Sequence, residues 1–254
     1  MRTVRATRYV TPLRQGGSLP AVIETDDDGT YVVKFRGAAQ GARASVAEII
    51  GGELGRALGL PVPPQVLVEL DPLLARSEPD AEIQQLLKAS VGLNVAIDYL
   101  PGSLNWEPAL APPPDAALAA RIVWFDAFIS NVDRTVRNPN LLRWHKQVWL
   151  IDHGASLYFH HDWPTQAARS QAPFAPVRQH VLVPLASDIT VADAALAPLV
   201  TRALLTSILA EVPDAWLDGE PTPEATRAAY VEHLWARVSG PRAFVQEAER
   251  ARGK

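Results

Sequence analysis

Two short runs carry residue types that could do chemistry together. The first is Ser130-Asn131-Val132-Asp133-Arg134-Thr135-Val136-Arg137-Asn138-Pro139-Asn140, and the second is Leu150-Ile151-Asp152-His153-Gly154. They offer an Asp, an Asn five positions on, and then an Asp at the end of a strand, followed shortly by Gly. Magnesium is a hard cation that takes oxygen ligands in octahedral geometry and keeps water and phosphate among them. One Asn carbonyl and one carboxylate can hold it against a nucleotide triphosphate. A separate Asp can orient an acceptor hydroxyl and take its proton. The pattern therefore suits metal-assisted phosphoryl transfer. Asn-x-Asp-Arg and Asn-Pro-Asn are also ordinary turn formers. What gives the two runs weight is their order, after a capped apolar helix and around a pair of strands.

Lys34 is the other residue of note. Lysine occurs only at positions 34, 88, 146 and 254, and Lys34 sits in Tyr31-Val32-Val33-Lys34-Phe35. A lysine among apolar strand residues needs an anionic partner if it is buried. Otherwise its stem snorkels to water from an edge strand.

These residues must be positioned by the elements around them. Strands are expected over 3–9, 20–25 and 31–35, with Asp26-Asp27-Asp28-Gly29 as a hairpin turn whose acidic run is a solvated tip. A helix follows over 45–58. Ser45 and Glu48 match a capping box, Gly59 a C′ stop, and Val46, Ile49, Ile50, Leu54 and Ala57 an apolar stripe. Further strands are expected over 65–70 and 93–99, with a short helix over 81–88 between them. A proline-rich surface loop or linker covers 107–115. Asp115 then caps an apolar helix through Ile129, and strands over 141–144 and 148–151 flank a Lys146-Gln147 turn. Helices are expected over 192–211, 223–239 and 242–252.

This order predicts an α+β chain with two lobes. A strand-rich N-terminal lobe over 1–100 has an antiparallel sheet and one main helix. A mostly helical lobe covers 101–254, with a hinge near 98–103.

Composition narrows the function classes. The chain has 254 residues, 48 % of them hydrophobic, and a formal net charge of −4. That is core enough for an ordered fold and gives no basic footprint for nucleic acid. Without cysteine there are no disulfides, thiolate zinc sites or cysteine nucleophiles. This suits a reducing compartment, and a cytoplasmic location is expected. The first ten residues carry three arginines and no apolar run, unlike a signal peptide. The apolar stretch 194–210 is interrupted by Arg202 and reads as a buried helix, so no membrane association is expected. No Gly-x-Ser-x-Gly elbow is present. Asp152, His153, His160, His161 and Asp162 fit no standard zinc spacing.

Taken together, the chain resembles the HipA-like kinases, within the wider group that includes the phosphatidylinositol kinases. Their catalytic loop, Asp-Arg-x-x-x-Asn, is matched by Asp133-Arg134-Thr135-Val136-Arg137-Asn138, and their strand-terminal metal ligand by Asp152. Many members have histidine where this chain has Thr135. The resemblance implies that Asp133 is the catalytic Asp, that Asn138 and Asp152 bind magnesium, and that Lys34 holds the phosphates of ATP. Kinase folds pair that lysine with a helix glutamate. Glu53 lies within the apolar stripe, whereas Glu48 shares a face with Gly52 and Gly55. The family pattern around Glu48 and Gly59-Leu60-Pro61-Val62-Pro63 points to Glu48. Gly16, Gly17 and Ser18 lie where a phosphate-cradling loop belongs, and Gln40-Gly41 at a helix start is a second candidate. Adenine is expected against the backbone of Asp98, Tyr99 and Leu100. The implied activity is ATP- and magnesium-dependent phosphoryl transfer, with a serine or threonine of a protein as acceptor. A small-molecule kinase and a nucleotide-binding interaction module without turnover are the alternatives.

Overall fold

The alternation of Thr30–Lys34 shows how the strands are used. Tyr31 and Val33 are buried on one face, while Val32 and Lys34 are partly exposed on the other. The structure, a computed structural model, describes residues 1–13, 19–38, 41–76, 78–109 and 111–253. Its N-terminal strands are β1 (Thr3–Pro12), β2 (Ala21–Thr25), β3 (Thr30–Lys34), β4 (Gln65–Leu70) and β5 (Gly92–Asp98). Helix α1 (Gly41–Ala57) lies between β3 and β4, and α2 (Ala81–Ala89) between β4 and β5.

The expected antiparallel sheet needs correcting. The strands run β1-β2-β3-β5-β4 and close into a barrel through a parallel pair, Thr3–Arg5 of β1 against Leu67–Glu69 of β4. Strand β1 is long enough to serve two neighbours. Its start pairs with β4 and its later part with β2, with register shifts at Ala6/Arg8 and Tyr9/Thr11. Such bulges bend a strand and raise its twist, which lets the sheet curl shut. Val4, Ile23, Tyr31, Val33, Val66 and Val68 fill the interior. The hairpin tip is more than a solvated acidic run. Asp27 accepts from Gly29 N–H at 3.1 Å and Tyr31 Oη–H at 2.9 Å, and pairs with Arg2 at 2.5 Å.

Helix α1 begins at Gly41, four residues before the expected start, so Ser45 is an interior, buried residue and no capping box forms. Gly59 does end the helix. It has φ +71°, and Leu60 N–H donates to Gly55 at 2.9 Å. A Cβ at Gly52 would lie 2.4 Å from the Gln65 carboxamide, so glycine there lets β4 approach α1.

The rest of the chain forms a small antiparallel sheet and a group of helices. The sheet holds β6 (Leu104–Asn105), β7 (Leu141–Trp144) and β8 (Gln147–Leu150) in sequence order. The helices are α3 (Ala116–Phe128), α4 (Gln166–Arg169), α5 (Ile189–Leu196), α6 (Arg202–Leu209), α7 (Pro223–Ser239) and α8 (Ala243–Arg252). Asp115 caps α3 by accepting from Ala117 and Leu118 N–H at 2.9 and 3.1 Å. From Ala119 to Phe128 only Arg121 is not fully buried, and α3 shares one core with α1.

The single helix expected over 192–211 is two helices, α5 and α6, meeting at 72°. Pro198 has no N–H to continue α5, and Thr201 caps α6 by accepting from Leu204 N–H at 3.1 Å. No single helix among the described residues is long and apolar enough to cross a membrane.

Candidate active site

Strand β3 delivers Lys34 on the face away from the barrel core, and α1 delivers Glu48 to meet it. Lys34 Nζ donates to Glu48 at 2.6 Å and to Asp152 at 2.7 Å. Glu53 lies elsewhere and pairs with Arg56 on the helix surface at 3.1 Å. Asp152 follows β8 with φ +59°, a left-handed conformation that Asp tolerates better than most residues. The resulting turn aims two groups at the same place. The Asp152 carboxylate reaches Lys34, and His153 N–H donates to Glu48 Oε2 at 2.7 Å.

Two carboxylates share one ammonium, and their surroundings separate them. Lys34 holds the Asp152 carboxyl below the ordinary carboxylate range, against the opposing effect of burial. Burial pushes Glu48 up despite Lys34. Lys34 is itself raised, because Asp152 and Glu48 together outweigh the burial that favours its neutral form. The Glu48 side chain is 1 % exposed and that of Asp152 40 %, so Asp152 faces the open side. His153 is pushed down to about 3 by burial, reinforced by the positive charge of Arg134.

The loop after α3 holds the second set. The Asp133 carboxylate accepts from Asn138 Nδ2 at 2.7 Å and Asn140 Nδ2 at 3.1 Å. With its amide nitrogen so used, Asn138 keeps its carbonyl oxygen for another partner. Burial, helped by the negative charge of Asp152, raises Asp133 against the opposing effect of the two amides. Thr135 closes the loop. Its N–H donates to the main-chain carbonyl of Asn138 at 3.0 Å, leaving the side-chain oxygen free, and its hydroxyl accepts from Asn138 N–H at 3.3 Å. The position where many family members have histidine is thus a loop-closing hydroxyl.

Lys34, Asn138 and Asp152 line one cleft of about 1020 Å³, and Asp98, Tyr99 and Leu100 line it as well. Asp98 N–H donates to Pro64 at 2.9 Å and Tyr99 N–H to Thr30 at 3.1 Å, so both are already used within the fold. Gly16, Gly17, Ser18 and Gln40 lie outside the described residues. Pro12, Leu13 and Pro20, which flank the Gly16-Gly17-Ser18 stretch, line the cleft. Two members of the group set aside as a metal cluster have other partners. His160 Nδ1 lies 3.0 Å from Tyr230 Oη, and Asp162 accepts from Arg169 at 2.7 Å.

Sequence reasoning missed Asp126, which is fully buried in α3 and ion-paired to Arg134 at 2.5 Å. An acid inside an apolar helix was the available signal, of the same kind that singled out Lys34. It also missed His180, 2.9 Å from the same carboxylate, for which the sequence carries no local signal.

The sequence model of the HipA-like kinases matches residues 7–242. No curated protein matches the chain significantly. Among solved structures, the proinflammatory kinase CtkA of Helicobacter pylori is similar over 98 % of this chain and 97 % of its own, with a TM-score of 0.60 at 14 % identity. A Golgi casein kinase structure with Mn and ADP bound is similar over 97 % of this chain and 74 % of its own, with a TM-score of 0.50 at 13 % identity. At these identities the likeness is one of fold.

Proposed function

The chain belongs to the HipA-like kinase family, and on that premise we propose that it is an ATP- and magnesium-dependent protein kinase that phosphorylates serine or threonine. The observation that carries the reading is Lys34 Nζ lying 2.6 Å from Glu48 and 2.7 Å from Asp152 on the wall of a cleft that Asn138 also lines.

The roles follow from chemistry. Lys34, anchored by Glu48, presents its ammonium to the phosphates. The Asp152 carboxylate and the Asn138 carbonyl are hard oxygen donors on the open side, and they would hold magnesium. Bound there, the ion neutralises charge across the phosphates. Asp133 accepts the proton of the acceptor hydroxyl, and its raised pKa makes it a better base than an ordinary aspartate. Leu100 lines the cleft and its N–H has no partner among the described residues, so it is the group left to meet adenine, whereas its neighbours' N–H groups are used. Phosphate binding by Gly16, Gly17 and Ser18 stays an assignment from the sequence alone. In this reading 1–100 is the ATP-binding lobe, 101–254 the catalytic lobe, and the cytoplasm the place of action.

Incubation of the protein with magnesium and γ-labelled ATP tests this. Label should appear on serine or threonine of the protein itself or of a protein mixture, and Asp133→Ala should abolish it. Label found only on a metabolite would move the assignment to a small-molecule kinase. Metal-dependent ATP binding with no transfer to any acceptor would make the protein a binding module. Full transfer by Asp133→Ala would overturn the mechanism.

A further inference from the structure

His180 lies outside the cleft, yet a short series of contacts connects it to the backbone that carries Asp133, Asn138 and Asp152. Its Nδ1 accepts from Leu182 N–H at 3.1 Å, so the ring proton sits on Nε2 and points at Asp126 Oδ2, 2.9 Å away. The same carboxylate accepts from Arg134 Nε at 2.5 Å, Arg134 Nη2 at 3.4 Å and Asn131 Nδ2 at 2.9 Å. Asn131 then accepts, through its own side-chain oxygen, from Asp133 N–H at 3.1 Å. Arg134 Nη1 donates to the carbonyls of Asn140 at 2.5 Å and Ile151 at 3.2 Å, with Pro139 at 3.5 Å. One guanidinium nitrogen thus grips the chain just after Asn138 and just before Asp152. The backbone of His180 is tied in as well. It bridges Thr135 in the loop, and the next residue, Val181, donates N–H to Arg134 at 3.0 Å.

We propose that His180 is a positioning residue that, through Asp126 and Arg134, sets the spacing between Asn138 and Asp152 on which divalent-metal binding depends. The proposal rests on the metal-site reading above. Asp126 and Arg134 are fully buried, and the His180 side chain is 3 % exposed. With no water to substitute for a lost partner, removing the Nε2–H leaves a carboxylate oxygen short of a donor and frees Arg134 to shift. Groups that hold a metal ligand directly commonly change metal affinity by about 10–100-fold when lost, and His180 acts on the two ligand-bearing segments through Asp126 and Arg134.

The test uses ADP binding with and without manganese. The ratio of the ADP dissociation constants in EDTA and in saturating Mn²⁺ measures the coupling between metal and nucleotide. His180→Leu fills the space without a donor, and Asp126→Asn keeps the shape without the charge. Both should shrink the coupling about 10-fold or more while the EDTA value stays within about twofold. His180→Gln retains an N–H near the Nε2 position and should restore most of the coupling. His233→Leu, another buried histidine remote from the loop, should leave it unchanged. If His180→Leu does not fold, Asp126→Asn decides. Wild-type coupling retained in the folded Leu and Asn variants would overturn the proposal. A wild-type protein with no coupling at all would instead overturn the metal-site reading on which it stands.

Discussion

Replacing Glu48 by Gln isolates the part of the site that carries the proposed function. The exchange conserves size. An amide oxygen in place of Oε2 can still accept from Lys34 Nζ and from His153 N–H, now 2.6 and 2.7 Å away. What disappears is a full negative charge beside an ammonium, at a side chain only 1 % exposed. Hydrogen bonds to charged groups are worth about 1.5–3 kcal/mol. If the anchored position of Lys34 is needed in the transition state, kcat/KM for ATP should fall about 10–150-fold. Stability should change far less. Lys34 keeps Asp152, so no cation is stranded, and the loss of about 3–5 kcal/mol typical of an orphaned buried charge should not appear. The exchange also relieves the burial penalty that raises Glu48. Steady-state ADP release at varied ATP, paired with urea unfolding of the same preparations, reads both quantities. A kcat/KM within twofold of wild type at unchanged unfolding midpoint would refute the role given to this pair. A loss of activity explained entirely by unfolding would reduce Glu48 to a structural residue.

Glu53→Ala is the counterpart. Its only ion pair among the described residues is with Arg56, three residues on at the helix surface, so activity should stay within twofold and stability within about 0.5 kcal/mol in the same two assays. Because burial holds Asp133 above the ordinary value of 3.8, and the base must be deprotonated to act, the acid limb of the kcat/KM profile should lie above that pH. A limb at or below it in a pH–rate series would contradict the assignment. Burial depresses His153 and His160 to about 3 and His233 to about 4, while the unfolded chain protonates near 6.5. Stability should therefore be intact above pH 6.5 and fall steadily as the pH drops toward 4. The limiting slope is about 4 kcal/mol per pH unit when all three protons are involved, read from urea unfolding between pH 7 and 4.5. Asp115→Ala removes the cap that serves Ala117 and Leu118 N–H and should cost about 1 kcal/mol by urea unfolding, with no change in ATP affinity.

Much of the site's chemistry could be read along the chain, because side-chain type and short spacing are local properties. Asp133 and Asn138 share one loop whose contacts span only a few residues, and they meet at 2.7 Å. Lys34 stood out as a charge in an apolar strand, and Asp115 as a cap before an apolar run. The break between α5 and α6 was also written locally, in Pro198 and Thr201, and a long apolar run obscured it. The start of α1 was misread because Ser45 and Glu48 make a capping pattern, while the helix actually places Glu48 against Lys34, 14 residues earlier.

Other features have no local trace. Glu48 and Glu53 are equivalent acids on opposite faces of one helix, and which face meets β3 depends on packing that glycines 51, 52 and 55 allow. The parallel closure of β1 on β4 depends on residues more than sixty positions apart. His180 reaches Asp126 across 54 positions. The sequence by itself determined which groups are available and how each turn and cap holds its neighbours. Only the tertiary structure decided which charges share a buried space, because that follows from burying apolar faces of distant segments against one another. The electrostatic partners are then whatever that packing leaves within reach.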